Sequence, residues 1–139
     1  MDKINKYFAT LRIDIEPYQI GNPNPTKLKL KSVSIPNIWK LVDDEIVNLN
    51  VDELNEICYE DKEITFVTQK SQFHEGFSKT FRNENGFTVR QMFDNVHDFE
   101  IEARPLSKWF GGIDTHHIIF EGFNKINGKD NHYTIYWGL

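Results

Sequence analysis

Asp114, His116, His117 and Glu121 lie in one short run, WFGGIDTHHIIFEGF, between Trp109 and Phe123. An imidazole beside a carboxylate is the commonest device for moving a proton near neutral pH. The candidate acid–base residues are therefore His117, Glu121 and Asp114, with His74 or His132 assisting. For a metal, the candidate ligands are His74, His116, His117 and His132, supplemented by Glu75 and Asp114. Read as a strand, the run alternates: His116 goes with Ile118 and Phe120, and His117 goes with Ile119, Glu121 and Phe123. The adjacent imidazoles then diverge and do not converge on one ion. His117 and Glu121 share a face but stand about 13 Å apart at ~3.3 Å per residue. A carboxylate at 121 needs a partner if that face is core, and Arg104, Arg12 or Lys108 is available. His132 falls opposite Phe123 or Asn124 rather than His116. This spacing favours structural histidines over a reacting centre, with no metal or cofactor bound.

Other nucleophile and phosphate patterns are missing. There is no GxSxG, P-loop, GxGxxG or HExxH. Gly111-Gly112 reads as a turn feeding the strand, and Gly122 reads as a bulge or a close approach by another backbone. Cys58 is the only cysteine, so no internal disulfide or paired-cysteine zinc site forms. Beside Ile57 and with no adjacent base, it reads as a small buried hydrophobe.

These residues need elements to position them. YFATLRIDIE alternates as a half-buried strand, with Tyr7, Ala9, Leu11, Ile13 and Ile15 on one face. PYQIGNPNPT is a loop, and KLKLKSVSI is a second strand that Pro36 ends. Ile38, Leu41, Val42, Ile46 and Leu49 approach helical spacing, which predicts a short helix within Asn37–Asn50. Asn50 caps a further helix, with Asp52 and Glu53 in its first turn and Leu54 and Ile57 as its buried face. KEITFVTQ and QFHEGFSKTFRN read as a hairpin, with Phe73, Phe77 and Phe81 on one face. Thr88 caps the main helix, Thr88 to Ala103. Its stripe is Val89, Met92, Phe93, Val96, Phe99 and Ala103, and Pro105 stops it. Asn127-Gly128 turns the last two strands into a hairpin. The order β-β-α-α-β-β-α-β-β predicts an α+β fold, a mainly antiparallel sheet with two or three helices packed on one face.

The 139 residues fit a single domain, 1–139, with one sizeable core. Eleven of the nineteen aromatic rings are Phe, which has no polar handle and belongs in a core or a contact surface. No apolar run reaches the length of a membrane span, and the start of the chain has no signal-peptide pattern, so the expected location is cytoplasmic. A net charge of −5 opposes nucleic-acid binding, although Lys27, Lys29 and Lys31 alternate on one strand. The same charge suits a basic protein partner. Oligomeric state is not fixed by the sequence.

GFTVRQMF leading into the helix, WFGGIDTHHIIFEGF, and the terminal YTIYWGL resemble the ending of small uncharacterised bacterial proteins over roughly the last fifty-five residues. No catalytic residue carries over from that resemblance. In size and charge alone the chain resembles immunity proteins that neutralise contact-dependent or secreted toxins. The expected function is a non-enzymatic protein-binding domain, with Trp109, Phe110, Tyr136 and Trp39 as candidate contact anchors. The alternatives are a small metal-dependent or acid–base enzyme built on segment 114–121, and a small-molecule binder with an aromatic-lined pocket.

Overall fold

The computed structural model describes residues 1–16, 29–109 and 112–139. The loop predicted over 17–26, Lys27, Phe110 and Gly111 lie outside the described residues.

The fold is α+β, built on a seven-stranded, mostly antiparallel sheet. Strand β1 (Phe8–Ile15) pairs with the long β2 (Leu30–Val42), and β2 turns back into β3 (Glu45–Asn48). Strand β4 (Ile57–Tyr59) leaves the sheet to pair with the two-residue β7 (Phe87–Thr88). Strands β5 (Glu63–Thr68) and β6 (Phe77–Arg82) form the predicted hairpin, although β6 starts only at Phe77 and leaves Phe73 exposed outside it, and β8 (Ile119–Lys125) and β9 (His132–Gly138) form the second. The order across the sheet is β3-β2-β1-β8-β9-β5-β6, and only the β9–β5 pairing is parallel.

The first half of the chain departs from the expected elements. Residues 37–50 form no helix: Ile38 to Val42 continue β2, and Asp43 and Asp44, with φ of 51° and 64°, make the two-residue turn into β3. Two successive left-handed residues match the twist of a hairpin, and Asp tolerates that region better than most side chains. Pro36 does not end its strand. The register slips between Thr10↔Asn37 and Arg12↔Ser34, so Pro36 sits in a bulge where no ladder N–H is needed. Among the described residues there is one substantial helix, α2 (Val89–Ala103); α1 (Val51–Leu54) is a single turn. Ile57 belongs to β4 and is exposed rather than buried under α1.

Both helix starts follow their sequence signals. Asn50 and Glu53 cap each other's backbone at α1, and Thr88 and Gln91 do the same at α2. The α2 stripe is buried as spaced, with Glu100 added to it. It lies on a core centred on Phe66, whose ring meets Phe99, Phe81 and Phe123 at 5.0–5.8 Å. Such contacts are each worth about 0.5–1.5 kcal/mol beyond burial. Gly122, at φ 126°, makes the expected bulge, which keeps both Phe120 and Phe123 on the core side. Cys58 is buried, and burial pushes its thiol up to about 11. No helix among the described residues is long and apolar enough to cross a membrane.

Candidate functional site

A cleft of about 470 Å³ opens where the C-terminal end of α2 meets the ends of β5 and β9. Two chain segments close it. Residues 71–75, between β5 and β6, pair with 106–108, after α2, through Glu75 N–H to Leu106 O (3.1 Å) and Lys108 N–H to Phe73 O (2.8 Å). That pairing brings Phe73 against Trp109, ring centroids 4.1 Å apart. Trp109 in turn meets the His117 ring edge-on at 5.5 Å. Tyr136 and Trp137 of β9 supply the remaining aromatic lining.

Arg104 organises the cleft from beneath. Both Arg104 and Glu100 are buried, one helical turn apart, with Nε 2.9 Å from Glu100 Oε2. The other carboxylate oxygen accepts the Trp137 indole N–H at 2.7 Å. The guanidinium lies 5.0 Å over the Trp137 ring, and its Nη1 and Nη2 donate to the carbonyls of Asp114 (2.9 Å) and His117 (2.7 Å). One side chain therefore ties α2, β9 and segment 114–117 together, and the fork geometry of guanidinium suits that task.

Asp114 shapes the segment locally. Its Oδ1 accepts the backbone N–H groups of His116 (2.8 Å) and His117 (3.1 Å), an Asx turn. Its Oδ2 lies 2.6 Å from His117 Nδ1. Burial alone raises the Asp114 pKa, but these three hydrogen bonds and the nearby Arg104 charge outweigh it and hold the carboxyl below its ordinary value. An ionised carboxylate only accepts, so Nδ1 carries a proton and Nε2 is the ring nitrogen left for other contacts. No group among the described residues hydrogen-bonds that Nε2, and His117 lines the cleft.

His74 also lines the cleft but is fully used. Its Nε2–H donates to Ala103 O (2.8 Å), and its Nδ1 accepts the Gly76 N–H (2.9 Å). It is a neutral structural ring that docks the 71–75 turn on the end of α2.

The remaining candidates scatter. Segment 114–118 is not a strand: β8 begins at Ile119, so the alternation predicted for His116 and His117 does not govern them. His116 is exposed, while His117 is held by Asp114. Glu121 does not join His117 and Asp114. It points out from the helix-free face of the sheet, its carboxyl against Gly138, where an added Cβ would come within 2.6 Å of it. Arg104 accordingly pairs with Glu100, not Glu121. His132 opens β9, opposite Ile126 and Thr65, far along the strand from the cleft. Among the described residues no three His, Cys, Asp or Glu side chains are placed to hold a metal ion. Of the anchors, Trp109 and Tyr136 line the cleft, Trp39 stacks on Phe8 at 4.7 Å across β1 and β2, and Phe110 lies outside the described residues. The buried pair Glu100 and Arg104 is new to the site. Its signal was the i, i+4 spacing, with Glu100 on the same stripe as Val96 and Ala103.

The chain was compared with protein-family models, curated proteins and solved structures, and it matches none of them.

Proposed function

We propose that this is a non-enzymatic binding protein that seats part of a partner protein in the aromatic cleft, with an immunity-type inhibitor of a basic toxin as its most concrete form. The observation that carries this reading is the commitment of the polar groups. Glu100, Arg104, Asp114 and His74 each bond to neighbours in the wall, and beside His117 the cleft presents the aromatic surface of Phe73, Trp109 and Tyr136. A prebuilt aromatic cleft held by a rigid polar network loses little entropy on binding and resembles the anchor pockets of protein interfaces. The net charge of −5 supports a basic partner. Affinity capture from the native host tests this, with wild type and the Trp109→Ala/Tyr136→Ala variant as parallel baits at low salt. A stoichiometric partner retained by the first and lost by the second supports the reading. No partner, or equal retention by both folded baits, sinks it. A co-purified small molecule in native mass spectrometry would instead identify a ligand-binding domain.

The free Nε2 of His117, oriented by Asp114, favours a second reading, acid–base catalysis in the same cleft. In any hydrolytic or isomerase activity found for the protein, His117→Gln would then lower kcat by about 10²-fold or more. An unchanged kcat removes this reading.

A further inference from the structure

A second surface lies at the opposite side of the sheet. Among the described residues, β3 pairs only with β2 and forms an open sheet edge. The two-residue turn at Asp43-Asp44 makes Val42 and Glu45 a hydrogen-bonded pair, so the alternate residues Ile46 and Asn48 turn their N–H and C=O groups outward. Natural edges of this kind carry Lys, Pro or a bulge that blocks pairing. The four residues of β3 are Glu45, Ile46, Val47 and Asn48, with no Lys, Pro or bulge among them. Ile46 is 67% exposed and its cross-strand neighbour Leu41 is 51% exposed. On that same outer face, two residues along β2, lies Trp39 stacked on Phe8. The edge thus has an open ladder over Ile46 and Asn48 and an apolar bed beside it.

Its ends are acidic. Asp43 and Asp44 precede the strand, Glu45 opens it and Asp52 follows it, all exposed. Lys40, the neighbouring cation on β2, is bound to Glu53 at 2.6 Å. A second copy would press two such acidic rims together, each on a chain of net charge −5. An extended segment with basic residues flanking β-branched ones neutralises them.

We propose that β3 is a docking edge that accepts an extended basic segment of a partner protein as an eighth strand. None of the cleft residues lies on β3, so this proposal and the cleft reading fail independently.

The probe is a capped eight-residue peptide alternating lysine with valine and threonine, set against a counterpart with glutamate in place of lysine. Titration into the isotope-labelled full chain is followed by amide chemical shifts. The expected result is saturable shifts centred on residues 45–48, with the lysine peptide bound about tenfold or more tighter than the glutamate one at low salt. Ile46→Lys installs an edge guard at an exposed position and abolishes the shifts, Asn48→Pro removes an outward N–H and weakens them, and Ile46→Val retains them. Unchanged circular dichroism of the variants keeps the comparison valid. Equal binding of both peptides, shifts confined to other residues, or no binding overturns the proposal. So does sedimentation as a dimer at micromolar concentration that Ile46→Lys converts to monomer, because the occupant is then a second copy.

Discussion

Replacing Arg104 with Met removes a charge while keeping most of the side chain's volume. Glu100 is then a buried carboxylate with the Trp137 indole as its remaining partner, and the carbonyls of Asp114 and His117 lose their donors. Breaking a buried ion pair on one side costs about 3–5 kcal/mol. An unfolding entropy near 2.1 cal/mol/K per residue over 139 residues is about 0.29 kcal/mol/K, so the expected loss in Tm is about 10–17 °C. Thermal and urea unfolding followed by circular dichroism measure it. The companion is the double variant Glu100→Leu/Arg104→Met, in which no charge is stranded. It should be more stable than the sum of the single losses by about 2 kcal/mol or more. A single-variant cost under about 1 kcal/mol, or strict additivity, would refute the claim that this pair holds the cleft together.

Three further outcomes are expected. Because the Asp114 pKa is held below its ordinary 3.8, its contribution to stability is present above that value and lost as pH falls through the lower folded one. The stability gap between wild type and Asp114→Asn, measured by urea unfolding, should stay constant at neutral pH and shrink below about pH 4. Cys58, with its thiol pushed up to about 11, should react with a thiol reagent at pH 8 about 100-fold more slowly in folded than in urea-unfolded protein. Equal rates would place it at the surface. Gly86→Ala meets both a φ of +75° and the Tyr59 carbonyl at 2.6 Å from the new Cβ. It should cost about 1–3 kcal/mol in urea unfolding, and a neutral effect would contradict that backbone geometry.

What the residues revealed depended on how local the governing interactions were. The α2 stripe, both caps, the Gly122 bulge and the pairing of the last two strands are each set within a few residues and were readable, but their connection is a longer loop, 126–131, in which Gly128 and Asn131 rather than Asn127 take positive φ. Residues 37–50 misled because Leu41, Val42, Ile46 and Val47 are exposed, so their spacing carried no information about a buried face. The Asp43-Asp44 turn is a weaker signal than Asn-Gly. At the site, Asp114 and His117 were readable as chemistry but not as a turn, and the strand assignment began five residues too early. Glu121 attracted attention by its aromatic neighbours, yet the carboxylate that matters is Glu100. Its partners Arg104 and Trp137 come together only once α2 has packed on β9. The cleft draws on segments near 70, 104, 116 and 136, and no local pattern links them.

The position of β9 has one more consequence. It is the keystone between the β3-β2-β1-β8 half of the sheet and the β5–β6 ribbon, which among the described residues share no other backbone ladder. Deleting 132–138 would therefore split one sheet into two fragments rather than trim its margin. Assembly must also wait for a strand to thread between partners some sixty residues apart in the chain. Such long-range insertion is slow, which predicts that the two fragments acquire partial order before the whole locks.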